Sequence, residues 1–254
     1  MTLEIVARTS ALLIVAAALV GLLRRAAPST RHLVWNLAIV SVLLAPVLAP
    51  LAPTITVPGV PGLPEVPRVS FDAVPLVLAS VQAEPGTASE QHLWNLGTIG
   101  TFGTFLAGVW FLSCWVLSGV SVWRRSRPAP ETWHNEARAI AHRLGLKAPI
   151  AVRELRTDAS PHVAGFFQSV VMLPPCAASW TIEARQAALV HELTHIKRHD
   201  RLTQAMAQLA CAIYWFNPLV WYAAAGLARE RERACDDAVL RFGAKPSAYA
   251  TLLL

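Results

Sequence analysis

The sequence predicts a mainly α-helical membrane protein with three N-terminal transmembrane helices followed by a cytoplasmic α+β domain. Of its 254 residues, 54% are hydrophobic and only 15% are charged, whereas soluble domains carry about 25% charged residues. The apolar residues are concentrated in long uncharged runs bordered by arginines, as in segments that cross a bilayer. We therefore attribute the net charge of +6 to membrane flanks rather than to direct nucleic-acid binding. The four cysteines form no C-x-x-C pair, so no disulfide framework is implied.

Three apolar runs define the predicted spans, which cover about residues 3–23, 33–53 and 93–123. About 20 apolar residues are needed to cross the hydrocarbon core. The basic pair Arg24-Arg25 follows the first run, whereas a cleaved signal peptide carries its charge first, so we interpret this run as a span. Residues 1–127 thus form the predicted transmembrane region.

The basic residues set the predicted orientation. Arginines lie between the first two spans and directly after the third, and such residues mark the cytoplasmic side of a membrane. The charged residues of the proline-rich loop at residues 54–92 are mostly acidic. We expect this loop to lie on the extracytoplasmic side as an extended tether. The N-terminus is then extracytoplasmic, and the chain beyond the arginine cluster at 124–127 is cytoplasmic.

Residues 128–254 are predicted to form the cytoplasmic domain. Apolar residues at helical spacing from Trp133 to Leu144 predict a helix, and Gly145 is suited to end it. The segments 150–156 and 166–173 carry the β-branched and aromatic residues of short strands. The mixture indicates an α+β domain.

A helix predicted from its N-cap Thr181 to about Arg198 contains the motif H-E-x-x-H. His191 and His195 are one turn apart, so both imidazoles can reach one metal ion. Glu192 lies beside them, where it can take a proton from an attacking water. Two imidazoles and a carboxylate leave one position open, which suits catalytic zinc. The alternative is a solvated helix with two accidental histidines.

The motif leaves the third protein ligand open. The class H-E-x-x-H-x-x-G-x-x-H is excluded, because Arg198 and Arg201 occupy its last two positions. A carboxylate from a later helix is the alternative, and Glu230 and Glu232 are candidates. Glu232 has Asp236 one turn further on, so a ligand and an acceptor for an imidazole N–H could share one face. The competing interpretation is a solvated, salt-bridged helix face.

An uncharged stretch at residues 202–228 is long enough to cross a bilayer. If it crossed, His195 and Glu232 would lie on opposite sides of the membrane and could not share a metal. The Asn-Pro pair at 217–218 disfavours a straight helix. We therefore predict an apolar helical hairpin at 202–232 that returns to its starting side, with its tip packed in the domain or dipped into the membrane interface. A fourth span is the alternative.

These motifs resemble the membrane zinc metallopeptidases of bacterial β-lactam sensing, the BlaR/MecR antirepressor type. The resemblance lies in H-E-L-T-H, in Y-W-F-N-P-L-V-W at 214–221, in E-R-A-C-D with A-V-L at 232–240, and in the segment 160–174. The layout agrees over the whole chain, while the specific motifs lie within residues 160–240. Their joint occurrence is far more specific than H-E-x-x-H alone.

The resemblance implies a zincin-like (gluzincin) endopeptidase in signal transduction, located as a multi-pass protein in the bacterial inner membrane. It implies one zinc ion per chain, held by His191, His195 and Glu232, with Glu192 as the general base. The expected substrate is a protein or peptide: a cytoplasmic, repressor-like regulator, the protein itself, or both. The other expected partner is the lipid bilayer, and a homodimer is compatible with the family.

Three further expectations concern the surroundings of the motif. His162 could contact the oxyanion of the reaction or lie simply at the surface. The strand at 166–173 could pair with an extended substrate or serve as an ordinary core strand. His199 and Asp200 are expected to be structural or to face the lipid headgroups.

The best-known members of the family carry a large extracytoplasmic penicillin-binding sensor domain after a further span. This sequence stops at Leu254 inside a predicted helix, so we expect either a domain truncated at its C-terminus or a short member that senses something else. One alternative function is a housekeeping membrane metalloprotease of the heat-shock or prenyl-processing type. Another is a non-catalytic membrane scaffold or receptor stub, against which Glu192 argues, because a structural metal site needs no carboxylate there.

Overall fold

The computed structural model describes residues 3–48, 126–165 and 169–244, together with individual helical positions between Gly103 and Arg124. The described chain is mainly helical with one small sheet. The predicted loop at 54–92 and much of the predicted third span lie outside the described residues. The three-span topology therefore stays a prediction.

Two long apolar helices begin the chain, α1 (Leu3–Leu22) and α2 (Pro28–Leu48), with a short 3-10 turn between them. Both are long and apolar enough to cross a membrane. The second helix begins five residues earlier than the predicted span, because Pro28 fits the first position of a helix, where no backbone N–H is needed.

The sheet consists of β1 (Ser126–Pro128), β2 (Ala151–Leu155), β3 (His162–Ala164) and β4 (Val170–Leu173). Its order is β1-β2-β4-β3, with β2 and β4 parallel and the outer pairs antiparallel. Strand β4, whose four residues are all buried, is interior, whereas β3 is an edge strand among the described residues. The sequence predicted β4 as part of a longer strand at 166–173, of which residues 166–168 lie outside the description.

Helices α3 (Glu131–Leu144) and α4 (Ile182–Lys197) pack together beside this sheet. The Thr181 hydroxyl accepts a hydrogen bond from the backbone of Ala184 and caps α4. Gly145, at φ 77°, ends α3 in the left-handed conformation that favours glycine. The shared core contains these residues: Trp133, Ile140, Val152, Val171, Leu173, Leu189 and Leu193.

A helical hairpin completes the fold, formed by α5 (Asp200–Ile213) and α6 (Pro218–Phe242). Its apolar part packs against α1 and α2 in one buried cluster. At the tip, the Tyr214 hydroxyl donates to the backbone carbonyl of Val42 at 3.0 Å, and the Asn217 amide donates to the Ser10 hydroxyl at 3.0 Å. The tip thus lies beside the two candidate spans rather than within the sheet domain.

Gly226 allows α6 to approach α2 closely. A Cβ at this position would lie 2.7 Å from two ring atoms of Trp35. We expect Gly226→Ala to displace the indole and to reduce the free energy of unfolding by about 1–3 kcal/mol, because well-packed cores resist added methyl groups. Thermal unfolding in detergent measures this effect.

The matched control is Gly21→Ala, since none of the described residues has an atom within 4 Å of a Cβ built at Gly21. The control is expected to keep or raise the Tm, because alanine favours helices over glycine. Equal melting temperatures for the two variants would contradict the close packing of α6 against Trp35.

Candidate metal centre

Helix α4 places the two histidines of the motif on one face. The rings of His191 and His195 are 5.0 Å apart between centroids and nearly perpendicular. Glu192 lies beside them and is only 6% exposed. The spacing of the motif along one helix is therefore enough to bring these three groups together.

Glu232 reaches the same point from α6. Its Oε2 lies 3.4 Å from Nε2 of His191 and 3.7 Å from Nε2 of His195. Two ligand atoms bound tetrahedrally at about 2.0–2.1 Å from zinc are about 3.4 Å apart. The three atoms are thus spaced as zinc ligands would be, and within the described residues they form one of two such groups.

The other imidazole nitrogens face carboxylates. Nδ1 of His191 lies 3.2 Å from Oδ1 of Asp236, and Nδ1 of His195 lies 2.9 Å from Oδ2 of Asp200. A carboxylate that accepts the Nδ1–H leaves the Nε2 lone pair free for a metal. Asp236 lies where the sequence predicts an acceptor for an imidazole N–H.

The sequence predicts that Asp200 is structural or faces the headgroups, and the structure agrees with the first alternative. Its side chain is 2% exposed and contacts His195. It is the first residue of α5 and follows His199, which has φ 55°. This left-handed residue turns the chain sharply after α4, so a residue five positions beyond His195 can return to its ring. The sequence signal that could have predicted this contact is an acidic residue shortly after the end of α4.

The electrostatics of the centre favour a cation. Burial raises the pKa of the Glu192 carboxyl, while the imidazoles of His195 and His191 oppose this rise. Hydrogen bonds from His191 and His195 hold the pKa of Glu232 well below its ordinary value. Burial lowers the pKa of His195, but hydrogen bonds, led by the one to Asp200, outweigh burial and raise it. Positive charge between these carboxylates is therefore stabilised.

A second group of donor atoms shares His195. Its Nδ1 lies 3.3 Å from Sγ of Cys235, which is also 3.7 Å from Oδ2 of Asp200. These three side chains could also hold a metal by distance alone. However, they would use the nitrogen of His195 that faces away from Glu232, and both Asp200 and Cys235 are buried.

Glu230, the other sequence candidate for the third ligand, has different partners. It is 5% exposed and pairs with Arg31 of α2 at 2.8 Å and with Arg233 at 2.9 Å. It therefore ties α6 to the first turn of α2. The structure brings Glu232, and not Glu230, to the two histidines.

The centre opens into a cavity of about 570 Å³ between α4, the hairpin and the edge strand β3. His162 lines the cavity, and its Nδ1 lies 2.9 Å from the carbonyl oxygen of Ser160. The prediction that the strand at 166–173 could pair with an extended substrate is wrong for β4, its described part, because β4 is already paired on both sides. The edge beside the cavity belongs to β3. An apolar wall is contributed by these residues: Trp180, Ala184 and Ala188.

Comparison with known sequences gives the family of this chain. The profile of the BlaR1 peptidase M56 family matches residues 1–254. The chain therefore belongs to this metallopeptidase family.

Individual relatives match over a shorter stretch. The chain is 38% identical over 82 residues to the regulatory protein BlaR1 of Bacillus licheniformis. It is 28% identical over 83 residues to the methicillin resistance mecR1 proteins of Staphylococcus aureus and Staphylococcus epidermidis. Each alignment covers 32% of this chain and 14% of the relative. The chain thus matches only a small part of the length of these relatives.

Proposed function

We propose that the protein is a membrane zinc endopeptidase with its active site in the cytoplasm. His191, His195 and Glu232 hold one zinc ion, and Glu192 is the general base. The observation that carries this proposal is the convergence of one nitrogen from each imidazole and one carboxylate oxygen within 4.8 Å of one another, beside a buried glutamate and at the wall of an open cavity.

Glu192 carries out the proton transfers in this proposal. Zinc, when bound, supplies Lewis acidity that activates water and polarises the peptide carbonyl. The Glu192 carboxylate accepts the proton of the attacking water and then delivers it to the leaving amine nitrogen. Its burial keeps this carboxylate out of bulk water, which raises its pKa and its basicity. Asp200 and Asp236 hold the imidazoles in the tautomer that frees Nε2.

The role of Asp200 leads to a prediction. We expect Asp200→Asn to weaken zinc binding by about 10–100-fold, because a neutral amide holds the His195 N–H less strongly than a carboxylate. Titration against a competing chelator measures the affinity. The exposed Asp158 provides the control, and Asp158→Asn should leave zinc affinity unchanged. Equal affinities for wild type and Asp200→Asn would remove Asp200 from the zinc site.

The membrane location is also part of the proposal. Tyr214 bonds to Val42, which lies 14 residues beyond Pro28, or about 21 Å along α2 at 1.5 Å per residue. If α2 spans the bilayer, the hairpin tip enters well into a hydrocarbon core of about 30 Å. The exposed aromatic residues of the hairpin would then face lipid. The metal centre remains near the cytoplasmic ends of α1 and α2, at the membrane surface.

The proposed substrate is a cytoplasmic, repressor-like regulator, the protein itself, or both. The support is the family and the B. licheniformis relative, which is a regulatory protein. A site at the membrane surface would reach soluble proteins and the protein's own cytoplasmic segments.

Mass spectrometry of the detergent-purified, zinc-loaded protein tests this function. The protein is incubated alone and with a peptide library, with and without a chelator. We expect chelator-sensitive cleavage of peptide bonds. Full zinc occupancy without cleavage of any peptide or of the protein itself would favour the non-catalytic scaffold.

A further inference from the structure

Arg201 is a cationic side chain of the cavity that the proposed mechanism does not use. It is the second residue of α5 and lines the cavity together with the metal centre. Its Nη1 donates a hydrogen bond of 2.6 Å to the carbonyl oxygen of Val163 in β3. Its Nε is buried and has no hydrogen-bond partner in the part of the chain that the structure describes.

Among the described residues, no carboxylate forms an ion pair with Arg201. Neighbouring arginines differ, since Arg198 lies 3.3 Å from Asp200 and Arg231 lies 2.9 Å from Glu232. The sequence has acidic residues outside the described parts only within the predicted extracytoplasmic loop. A partly buried guanidinium without a counter-ion is costly, because desolvation is not offset by an attractive charge.

Arg201 lies beside the edge of the sheet at which an extended substrate would bind. Val163 is in β3, the edge strand beside the cavity, and Arg201 donates to its carbonyl oxygen. The guanidinium therefore lies beside the strand to which a peptide would add as a further strand. A peptide bound there would lie against the guanidinium.

We propose that Arg201 binds a carboxylate of the peptide substrate and so sets the specificity of the enzyme for acidic peptides. This inference rests on the proposed peptidase function. The carboxylate belongs either to an Asp or Glu side chain near the scissile bond or to the C-terminus of the substrate. Arginine suits this role because its planar group binds carboxylates with two parallel hydrogen bonds.

A binding experiment tests the proposal without catalysis. The probe is a positional-scanning library of short peptides, with Glu, Gln or Lys fixed at each position in turn and with free or amidated C-termini. Binding is measured to zinc-loaded Glu192→Gln protein and to the same protein with Arg201→Gln. We expect about tenfold tighter binding of the peptides that carry the required carboxylate, and loss of this preference with Arg201→Gln.

The arms of the library separate the two sources of the carboxylate. A preference that disappears on amidation identifies the C-terminus, whereas a preference for Glu over Gln identifies a side chain. Arg229→Gln is the matched control, because Arg229 is exposed and does not line the cavity. It should keep the preference. Equal binding of acidic and neutral peptides to the parent protein, or a preference that survives Arg201→Gln, would overturn the proposal.

Reversing the charge at position 201 gives a second test, in which the protein gains a new charge preference rather than losing one. Arg201→Glu should favour Lys peptides over Glu peptides, with zinc content and Tm measured to show that the variant is folded. An unchanged order of peptides in a folded, zinc-loaded Arg201→Glu protein would overturn the proposal. Cleavage without any charge preference rejects the role of Arg201 alone, whereas Arg201-dependent binding without cleavage rejects only the peptidase function.

Discussion

Replacing Glu192 with glutamine is expected to leave zinc bound and to reduce kcat by about 10²–10⁴-fold. Glutamine has nearly the same shape but cannot accept the proton of the attacking water. Because Glu192 is 6% exposed, bulk solvent offers no equivalent base at this position. The measurement pairs metal analysis with the rate of chelator-sensitive peptide cleavage.

The control for this variant is Glu183→Gln. Glu183 is on the same helix but is exposed in its first turn, away from the cavity lining. Its replacement should leave both zinc content and kcat unchanged. A Glu192→Gln enzyme with normal kcat would show that another group is the general base.

Replacing Glu232 with alanine is expected to remove the metal. The two histidines alone offer zinc only two protein ligands, and losing a direct ligand should cost more than the 10–100-fold typical of supporting residues. Zinc at 100 times its Kd stabilises a folded protein by about 2.7 kcal/mol. We therefore expect zinc to raise the Tm of the wild type but not that of Glu232→Ala.

The control is Asp237→Ala on the same helix, since Asp237 pairs with Arg241 at 3.5 Å and is not part of the metal centre. It should retain one zinc per chain and the rise in Tm. Full zinc content in Glu232→Ala would show that the third ligand is another residue.

Much of helix α4 could be predicted because its determinants are local. Thr181 caps the helix, and the spacing of His191 and His195 brings both rings to one face. The Asn-Pro pair at 217–218 indicated the break after which α6 begins, because Pro218 is suited to the first position of a helix. Each of these features depends on a few adjacent residues.

Features that depend on an unusual backbone conformation, on distant contacts or on very short strands could not be predicted. The bond from Asp200 to His195 requires a left-handed turn at His199, a conformation that histidine rarely adopts. The packing of Tyr214 against Val42 joins residues 172 positions apart. Strand β1 is only three residues long, too short to show the alternation that identifies a strand.

The edge position of β3 could not be predicted either, because the strand is short. Its residues, His162–Ala164, carry no pattern that shows which neighbour they pair with. Only the order of the sheet places Val163 beside Arg201 and β4 in the interior. Sequence reasoning therefore found the H-E-x-x-H motif, while the position of β3 at the wall of the cavity required the structure.

We propose that His191, His195 and Glu232 form an open zinc site, and X-ray absorption spectroscopy of the zinc-loaded protein tests this most directly. We expect only nitrogen and oxygen ligands, at about 2.0–2.2 Å, with two of them imidazoles. A sulfur ligand at about 2.3 Å would instead place the metal at His195, Asp200 and Cys235, and would contradict the proposed centre.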